Sequence, residues 1–380
     1  MSQLRQIIEQ EIRERGPIPF SRYMELCLYH PELGYYSRHA AQFGKAGDFY
    51  TSSDVHAVFG RLLARQFDEM WRALGSPETI TLKELGPGRG LFAQDVLDWS
   101  EKKFLDFFRA VRYVLAEQSP KLRERIAATL KHHFDSGKAA FADSSLPARD
   151  ARSGRHENPA SIIFANEFFD AIPVEIVSSK GTLRVGAQDG RFVESWALTS
   201  ADELEFLDRY SIHPEAEERV EVPLQSLALL RAAVDLERGF LVVIDYGYTR
   251  EEQLAGRHRG TLKAIRQHSV SANPYEAPGE QDITADVNFT ALTAAAEKQG
   301  LRAQKLLTQS QFLMGVGEAN QFADAFEDCR LPQERAKVAL QLKHLVTPAG
   351  MGESFHVLIA SKGIETGQAS RLAGLSFGRR

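Results

Sequence analysis

The run Glu84-Leu-Gly-Pro-Gly-Arg-Gly90 sets glycines at alternate positions between a β-rich stretch and an amphipathic one. In a strand-to-helix turn Gly86 lets the chain reverse sharply, and Gly88 has no side chain to hold a ligand off the backbone. Gly90 admits a group beside the first helical turn, whose unpaired N–H donors favour anions. Glu117 closes the next β-rich run, where its carboxylate can accept hydrogen bonds from both hydroxyls of a ribose. The pattern reads as a nucleoside pocket; a tight turn without a ligand is the plainer alternative. A dinucleotide fingerprint would put Gly or Ala where Leu91 stands and an acid about twenty residues on, nearer than Glu117. The P-loop signature G-K-[ST] does not occur in the sequence.

The remaining common nucleoside ligand is S-adenosylmethionine, which carries a ribose and a carboxylate but no phosphate, and its ammonium suits Glu84. A second polar group interrupts the apolar decapeptide Phe164-Ala-Asn-Glu-Phe-Phe-Asp-Ala-Ile-Pro173 at the end of a later strand candidate. Open α/β sheets bind ligands beyond the carboxyl ends of their strands, so Asn166, Glu167 and Asp170 are candidates for holding a methyl acceptor. Helix or turn caps are the alternative. In-line displacement at the sulfonium methyl needs alignment more than covalent catalysis. If the acceptor is an arginine, its permanently charged guanidinium is best oriented by paired carboxylates, and Glu167 with Asp170 is such a pair. Asp245-Tyr-Gly-Tyr248 closes a further strand and is open to the same two readings. His132-His133 reads as solvated, and no histidine pair has metal spacing with an acid, so no metal is expected. There is no Gly-x-Ser-x-Gly elbow for covalent catalysis.

Positioning these groups takes alternating strands and helices. Strand candidates are Ile80–Leu85, Tyr113–Glu117, Lys138–Ala142, Ile162–Asn166, Phe240–Tyr246, Arg302–Leu307 and Ser354–Ala360, with helices at Leu91–Lys103, Ser119–His132 and Phe289–Gln299. This predicts an α/β fold, a Rossmann-like seven-stranded sheet with helices on both faces. Ahead of it, residues 2–15 place Leu4, Ile7, Ile8 and Ile12 on one helical face, and Ser21 is set to cap a second helix to Tyr29. Residues 30–53 are aperiodic and aromatic, as in loops that cover a site. The expected organisation is N-terminal helices and lid over 1–60, then the sheet domain over 61–361. That domain carries insertions at 175–223, 248–281 and 315–350, the first a hairpin turning at Asp189-Gly190. Residues 362–380 are a tail expected to fray.

Composition narrows the partners. Across 380 residues, 43% hydrophobic and 26% charged content furnishes a core and argues against disorder. A net charge of −5 gives no global field for nucleic acid. No run of about eighteen apolar residues occurs, so no membrane insertion is expected. Cys27 and Cys329 lack metal or redox spacing, and the opening residues mix acids into a helical period, unlike a signal or transit peptide. A cytoplasmic setting is the expectation.

These motifs together carry a resemblance to a known family. GPIPFSRYMELCLYHPELGYYS (16–37), GDFYTSSDVHAVFG (47–60), ELGPGRG (84–90), EQSPKLR (117–123), ANEFFDAIPVE (165–175), IDYGY (244–248), GTLKAIRQHSV (260–270) and GEQDITADVNFTAL (279–292) resemble the MidA-like class I S-adenosylmethionine-dependent methyltransferases. The likeness runs to about residue 361. The family includes a mitochondrial complex I assembly factor that methylates a protein arginine. The resemblance implies S-adenosyl-L-methionine as cofactor and a protein substrate, a respiratory-complex subunit being one candidate, with the mitochondrial matrix as compartment for eukaryotic relatives and a homodimer compatible with it. It also implies that Gly47, Asp48, Phe49, Tyr50 and Thr51 belong to a lid over the acceptor pocket. The chain departs from the family at Ser53, Asp54, Leu91, Asp286 and Asn288, which bears on the substrate more than on the cofactor. A small-molecule acceptor, a cofactor-binding assembly chaperone without turnover, and a nucleotide-dependent oxidoreductase are the rival classes.

Overall fold

Residues 2–39, 57–142, 160–266, 269–271 and 273–377 are described by the computed structural model, in which the chain divides into two units. The first is assembled from residues 1–49, 168–230 and 247–295, the second from 50–167, 231–246 and 296–380. The insertions 175–223 and 248–281 therefore fall in the first unit and 315–350 in the second.

The second unit is built where β-branched runs alternate with amphipathic ones. Its sheet runs in the order Arg302–Ala303, Phe355–Lys362, Gly239–Tyr248, Ala160–Asn166, Ile80–Leu85, Val111–Ala116, Ala139–Phe141. The last five are mutually parallel, and Phe355–Lys362 is antiparallel to Gly239–Tyr248. The expected α/β class with a large, mostly parallel sheet is what the chain forms. The structure divides the expected sixth strand into Arg302–Ala303 and Leu307–Thr308, both on Phe355–Lys362; Gln304 still donates its N–H to the Ile359 carbonyl, but the next two residues leave the ladder. Ile162, Phe164, Phe240, Val242 and Ile244 share one core with the helices Ala57–Ala73 and Leu91–Lys103. Phe92 stacks on Phe164 with centroids 4.5 Å apart. Ile163, Ala165, Leu241 and Val243, which alternate to the other face, are buried too, as a parallel sheet requires.

Two local expectations are corrected here. Within the expected tail, residues 372–375 pack: Leu372 and Leu375 are buried, and the N–H groups of Ala373 and Gly374 donate to Glu69 and Gln66. His133 is buried, not solvated, with Nε2 2.7 Å from Asp98; only His132 is exposed.

In the first unit an antiparallel sheet runs Ile18–Pro19, Gly181–Gln188, Glu175–Ser178, Val220–Val222, with Arg191–Ala197 also on Gly181–Gln188. Asp189 and Gly190 both have positive φ (49° and 70°), the geometry of the two-residue type I′ hairpin turn. A three-stranded sheet joins Ser269–Ser271, Lys263–Arg266 and Asp282–Thr284. The helix Gln3–Arg15 buries Leu4, Ile8 and Ile12, while Ile7 stays exposed. Ser21 does not cap the second helix, which starts at Phe20 after Pro19; its hydroxyl donates to Glu175 instead.

Candidate active site

Three adjacent parallel strands of the second unit end together. Leu85 sits opposite Ala116 on one side and Ala165 on the other, so Gly86, Glu117 and Asn166 leave the sheet at one carboxyl edge. The edge is shaped by backbone conformation. Gly86, Gly88 and Gly90 all take positive φ (63°, 54° and 76°), which L side chains avoid. The Gly86 N–H donates to the Ala116 carbonyl and the Gly90 N–H to the Pro87 carbonyl, closing the turn onto the helix Leu91–Lys103, whose cap residue is Gly90.

The glycines differ in what they permit. A Cβ at Gly90 would lie 3.3 Å from both Ile126 and Leu130, so Gly90 serves helix packing. A Cβ at Gly88 would meet no atom of the described residues within 4 Å. Among those residues the turn is open there, and a nucleoside ligand fits that geometry.

Glu84 is buried, and Tyr113 donates its hydroxyl to Glu84 Oε2 at 2.8 Å. Burial pushes this carboxyl up to about 8, opposed by the Tyr113 hydrogen bond. Tyr113 is a supporting residue that no motif announced, lying on the neighbouring strand opposite Leu82. Glu117 is half-buried, and Ser119 donates its N–H to Oε1 at 2.7 Å. Burial raises its carboxyl, while the Ser119 and Gln118 N–H groups and the Arg123 charge oppose the rise. Arg123 itself, on the helix Pro120–Thr129, lies over the ring of Phe141 at the end of the next strand, 4.4 Å from its centroid.

At the third strand, Asn166 Nδ2 donates to Glu167 Oε1 at 3.2 Å, while Asn166 Oδ1 is buried with no hydrogen-bond partner among the described residues. Glu167 is held at φ 49° by its own N–H, which donates to the Ile244 carbonyl at 2.9 Å. A non-glycine residue there costs about 1–2 kcal/mol, a strain that collects at functional sites. Glu84, Gly86, Gly88, Gly90, Glu117, Asn166 and Glu167 thus belong to one sheet edge. Asp170 belongs to the first unit, where it is buried and its carbonyl accepts the Ala285 N–H at 2.9 Å. Gly47, Asp48, Phe49, Tyr50 and Thr51, like Ser53 and Asp54, lie outside the described residues. Of the departures from the family, Asp286 receives Lys263 Nζ at 2.8 Å and His258 Nδ1 at 3.0 Å. Asn288 caps the helix Phe289–Lys298, accepting the Ala291 N–H.

A mostly parallel sheet with a glycine turn open at Gly88 and a carboxylate at the next strand end defines the Rossmann-like methyltransferase class. Residues 62–307 match the family model described as "Putative S-adenosyl-L-methionine-dependent methyltransferase". The chain belongs to this family and is an S-adenosylmethionine-dependent methyltransferase. It is 30% identical to "Protein arginine methyltransferase NDUFAF7 homolog, mitochondrial" of Drosophila melanogaster, over 94% of this chain and 84% of that one. The human NDUFAF7 protein arginine methyltransferase, also named mitochondrial, is 27% identical over 96% and 85%. A COG1565 superfamily member from Burkholderia thailandensis, crystallised with S-adenosyl-homocysteine, superposes with a TM-score of 0.82 at 29% identity, covering 98% of this chain and 94% of that one. No helix among the described residues is long and apolar enough to cross a membrane.

Proposed function

We propose that the enzyme transfers a methyl group to an arginine side chain of a partner protein. The observation that carries this reading is Glu167, a carboxylate fixed in left-handed backbone at the sheet edge and steadied by Asn166. Such a fixed anion suits a guanidinium, which keeps its charge throughout and needs orienting more than activating. The names of the NDUFAF7 relatives support the same acceptor. When bound, S-adenosylmethionine supplies an electrophilic methyl group. The protein's part is positional: the glycine turn and Glu117 hold the nucleoside, with Glu84 beside the turn for the ammonium. Glu167 and Asn166 hold the guanidinium so that one nitrogen points along the line of displacement. The nitrogen that takes the methyl group would release one proton to solvent, so that the guanidinium keeps its single charge.

The test is a transfer assay with methyl-deuterated S-adenosylmethionine on the proteome of a strain lacking this gene, read by mass spectrometry. Labelled methylarginine is expected. Glu167→Gln should lower its formation by roughly 10² while cofactor affinity stays within about threefold. Label on another residue type, or cofactor binding with no transfer at all, would reject the reading and favour another acceptor or an assembly chaperone.

A further inference from the structure

The strand Arg191–Ala197 lies at an edge of the first unit's antiparallel sheet. Its ladder partner is Gly181–Gln188, and no other strand of the described residues pairs with it. The hairpin fixes which of its backbone groups point away. A two-residue turn is closed by a hydrogen-bonded pair, here Gln188 with Arg191, and hydrogen-bonded and non-hydrogen-bonded pairs alternate from there. Arg191, Val193, Ser195 and Ala197 therefore direct their N–H and C=O groups to Gly181–Gln188, while those of Phe192, Glu194 and Trp196 point outward. None of these outward groups has a hydrogen-bond partner among the described residues. No residue of the strand is buried; Val193 is 38% exposed, and Leu198, just beyond it, 96%.

Exposed edges are ordinarily kept from pairing by shortness, a bulge, a proline or a free charge. This one has seven residues in unbroken register and no proline. Its one mid-strand charge is already engaged. Glu194 Oε1 receives Arg219 Nη1 at 2.8 Å and the Tyr275 hydroxyl at 3.0 Å, and Oε2 receives Arg219 Nη2 at 2.6 Å. The outward groups are also symmetric, since Phe192 and Trp196 flank Glu194 at equal spacing. An antiparallel strand of the same sequence, related by a twofold axis at Glu194, meets every outward N–H with a C=O and every C=O with an N–H. Phe192 then opposes Trp196 of the second copy, twice over, as an aromatic cross-strand pair. Both rings are already oriented within the chain, by Arg5 4.6 Å from the Phe192 centroid and by Arg219 5.5 Å from that of Trp196. Glu194 opposes Glu194, and like charges so placed repel; the Arg219 that each copy lays on its own Glu194 offsets this, so the axis gathers two carboxylates with two guanidiniums. We infer that Arg191–Ala197 is the edge by which two copies of this chain pair, strand to strand, about a twofold axis at Glu194. The inference is independent of the arginine reading above.

Sedimentation of the intact protein tests it, and the parent should be a dimer at micromolar concentration. Val193→Lys puts an unpaired charge on the edge, and Trp196→Pro removes an outward N–H while leaving the ladder to Gly181–Gln188 intact; each should weaken the dimer about a hundredfold. Arg219→Gln leaves the two carboxylates facing each other and should weaken it about tenfold. Adding Glu194→Gln to that variant should restore the dimer, which a merely damaged fold would not do. S-adenosylhomocysteine affinity, read by calorimetry, should stay within about threefold in all of them. If Trp196→Pro fails to fold, Val193→Lys and the Arg219 and Glu194 variants decide. Val193→Cys combined with Ser195→Cys sets thiols at non-hydrogen-bonded cross-strand positions, with Cα atoms about 4.5 Å apart and within disulfide reach. Mild oxidation should join two copies covalently, in a Cys329→Ser background because Cys329 is a half-buried free thiol. A parent that sediments as a monomer, a dimer that the edge variants leave intact, no restoration by Glu194→Gln, or an oxidised cysteine variant that remains a single chain would each overturn the pairing.

Discussion

The glycine-turn edge of the second unit and the carboxylate face of the first are made in different ways. At the edge the shape is set chiefly by backbone: positive φ at Gly86, Gly88 and Gly90, with the Tyr113 hydroxyl of the neighbouring strand supporting Glu84. At the face, Tyr36, Asp170 and Asp282 come from three separated stretches joined by tertiary hydrogen bonds, Tyr36 to Asp282 and the Ala285 N–H to the Asp170 carbonyl. A turn of this kind is encoded by one short motif, whereas groups joined from distant stretches have to be gathered by folding.

The strongest way to break this contrast is at Gly88. Its φ of 54° strains a β-branched residue, yet a Cβ there meets nothing among the described residues. Gly88→Val should therefore fold and lose about a thousandfold in S-adenosylmethionine affinity, roughly 4 kcal/mol, as read by titration calorimetry. Gly90→Ala is the counterpart, because its Cβ crowds Ile126 and Leu130. It should cost about 1–2 kcal/mol of folding stability in urea denaturation. If Gly88→Val bound cofactor normally, the turn would be only a turn.

The same contrast explains what was legible in the sequence. The helix Leu91–Lys103 and the strand Ile80–Leu85 fall where the pattern put them, because period and turn chemistry are local. Asn166, Glu167 and Glu117 were legible as polar groups at strand ends. Tyr36 and Asp282 were not: they sit in the five-residue helix Tyr35–His39 and the three-residue strand Asp282–Thr284, both too short to show a period, and they are joined by a contact between distant stretches. His133 was misread for a related reason, since its partner Asp98 lies on another helix. The tail was misread because the apolar Leu372 and Leu375 are too few to form a pattern.

Glu84 sharpens the comparison through pH. Its carboxyl titrates near 4.5 when unfolded and at about 8 in the folded protein, burial being the larger cause. Between those values the folded chain holds a proton that the unfolded chain has released. Stability from this group is thus full below about 4.5 and falls as pH rises toward 8. Glu84→Gln keeps an acceptor for Tyr113 and cannot titrate, so denaturation at pH 5, 6.5 and 8 should show the variant gaining on the parent by a few kcal/mol at the highest pH. A constant difference across pH would mean that the carboxyl is ionised throughout and the edge is wetter than its burial implies.

The smallest expected effect is at Glu117, where the edge depends on one side chain. One of its oxygens already takes the Ser119 N–H at 2.7 Å, so part of its worth is as a cap for the helix Pro120–Thr129. The remaining acceptor capacity suits the ribose, and hydrogen bonds to a charged group contribute about 1.5 kcal/mol or somewhat more. Glu117→Ala should then weaken S-adenosylmethionine about tenfold and lower folding stability by about 1 kcal/mol through the lost cap. Glu117→Gln separates the two contributions, since an amide oxygen can still accept from Ser119 but offers the ribose a weaker neutral partner. Calorimetry on both variants, with S-adenosylhomocysteine as a second ligand sharing the ribose, reads the outcome. If both bind as the parent does while only the alanine variant loses stability, Glu117 is a cap alone, and the ribose is held by backbone as the rest of this edge is.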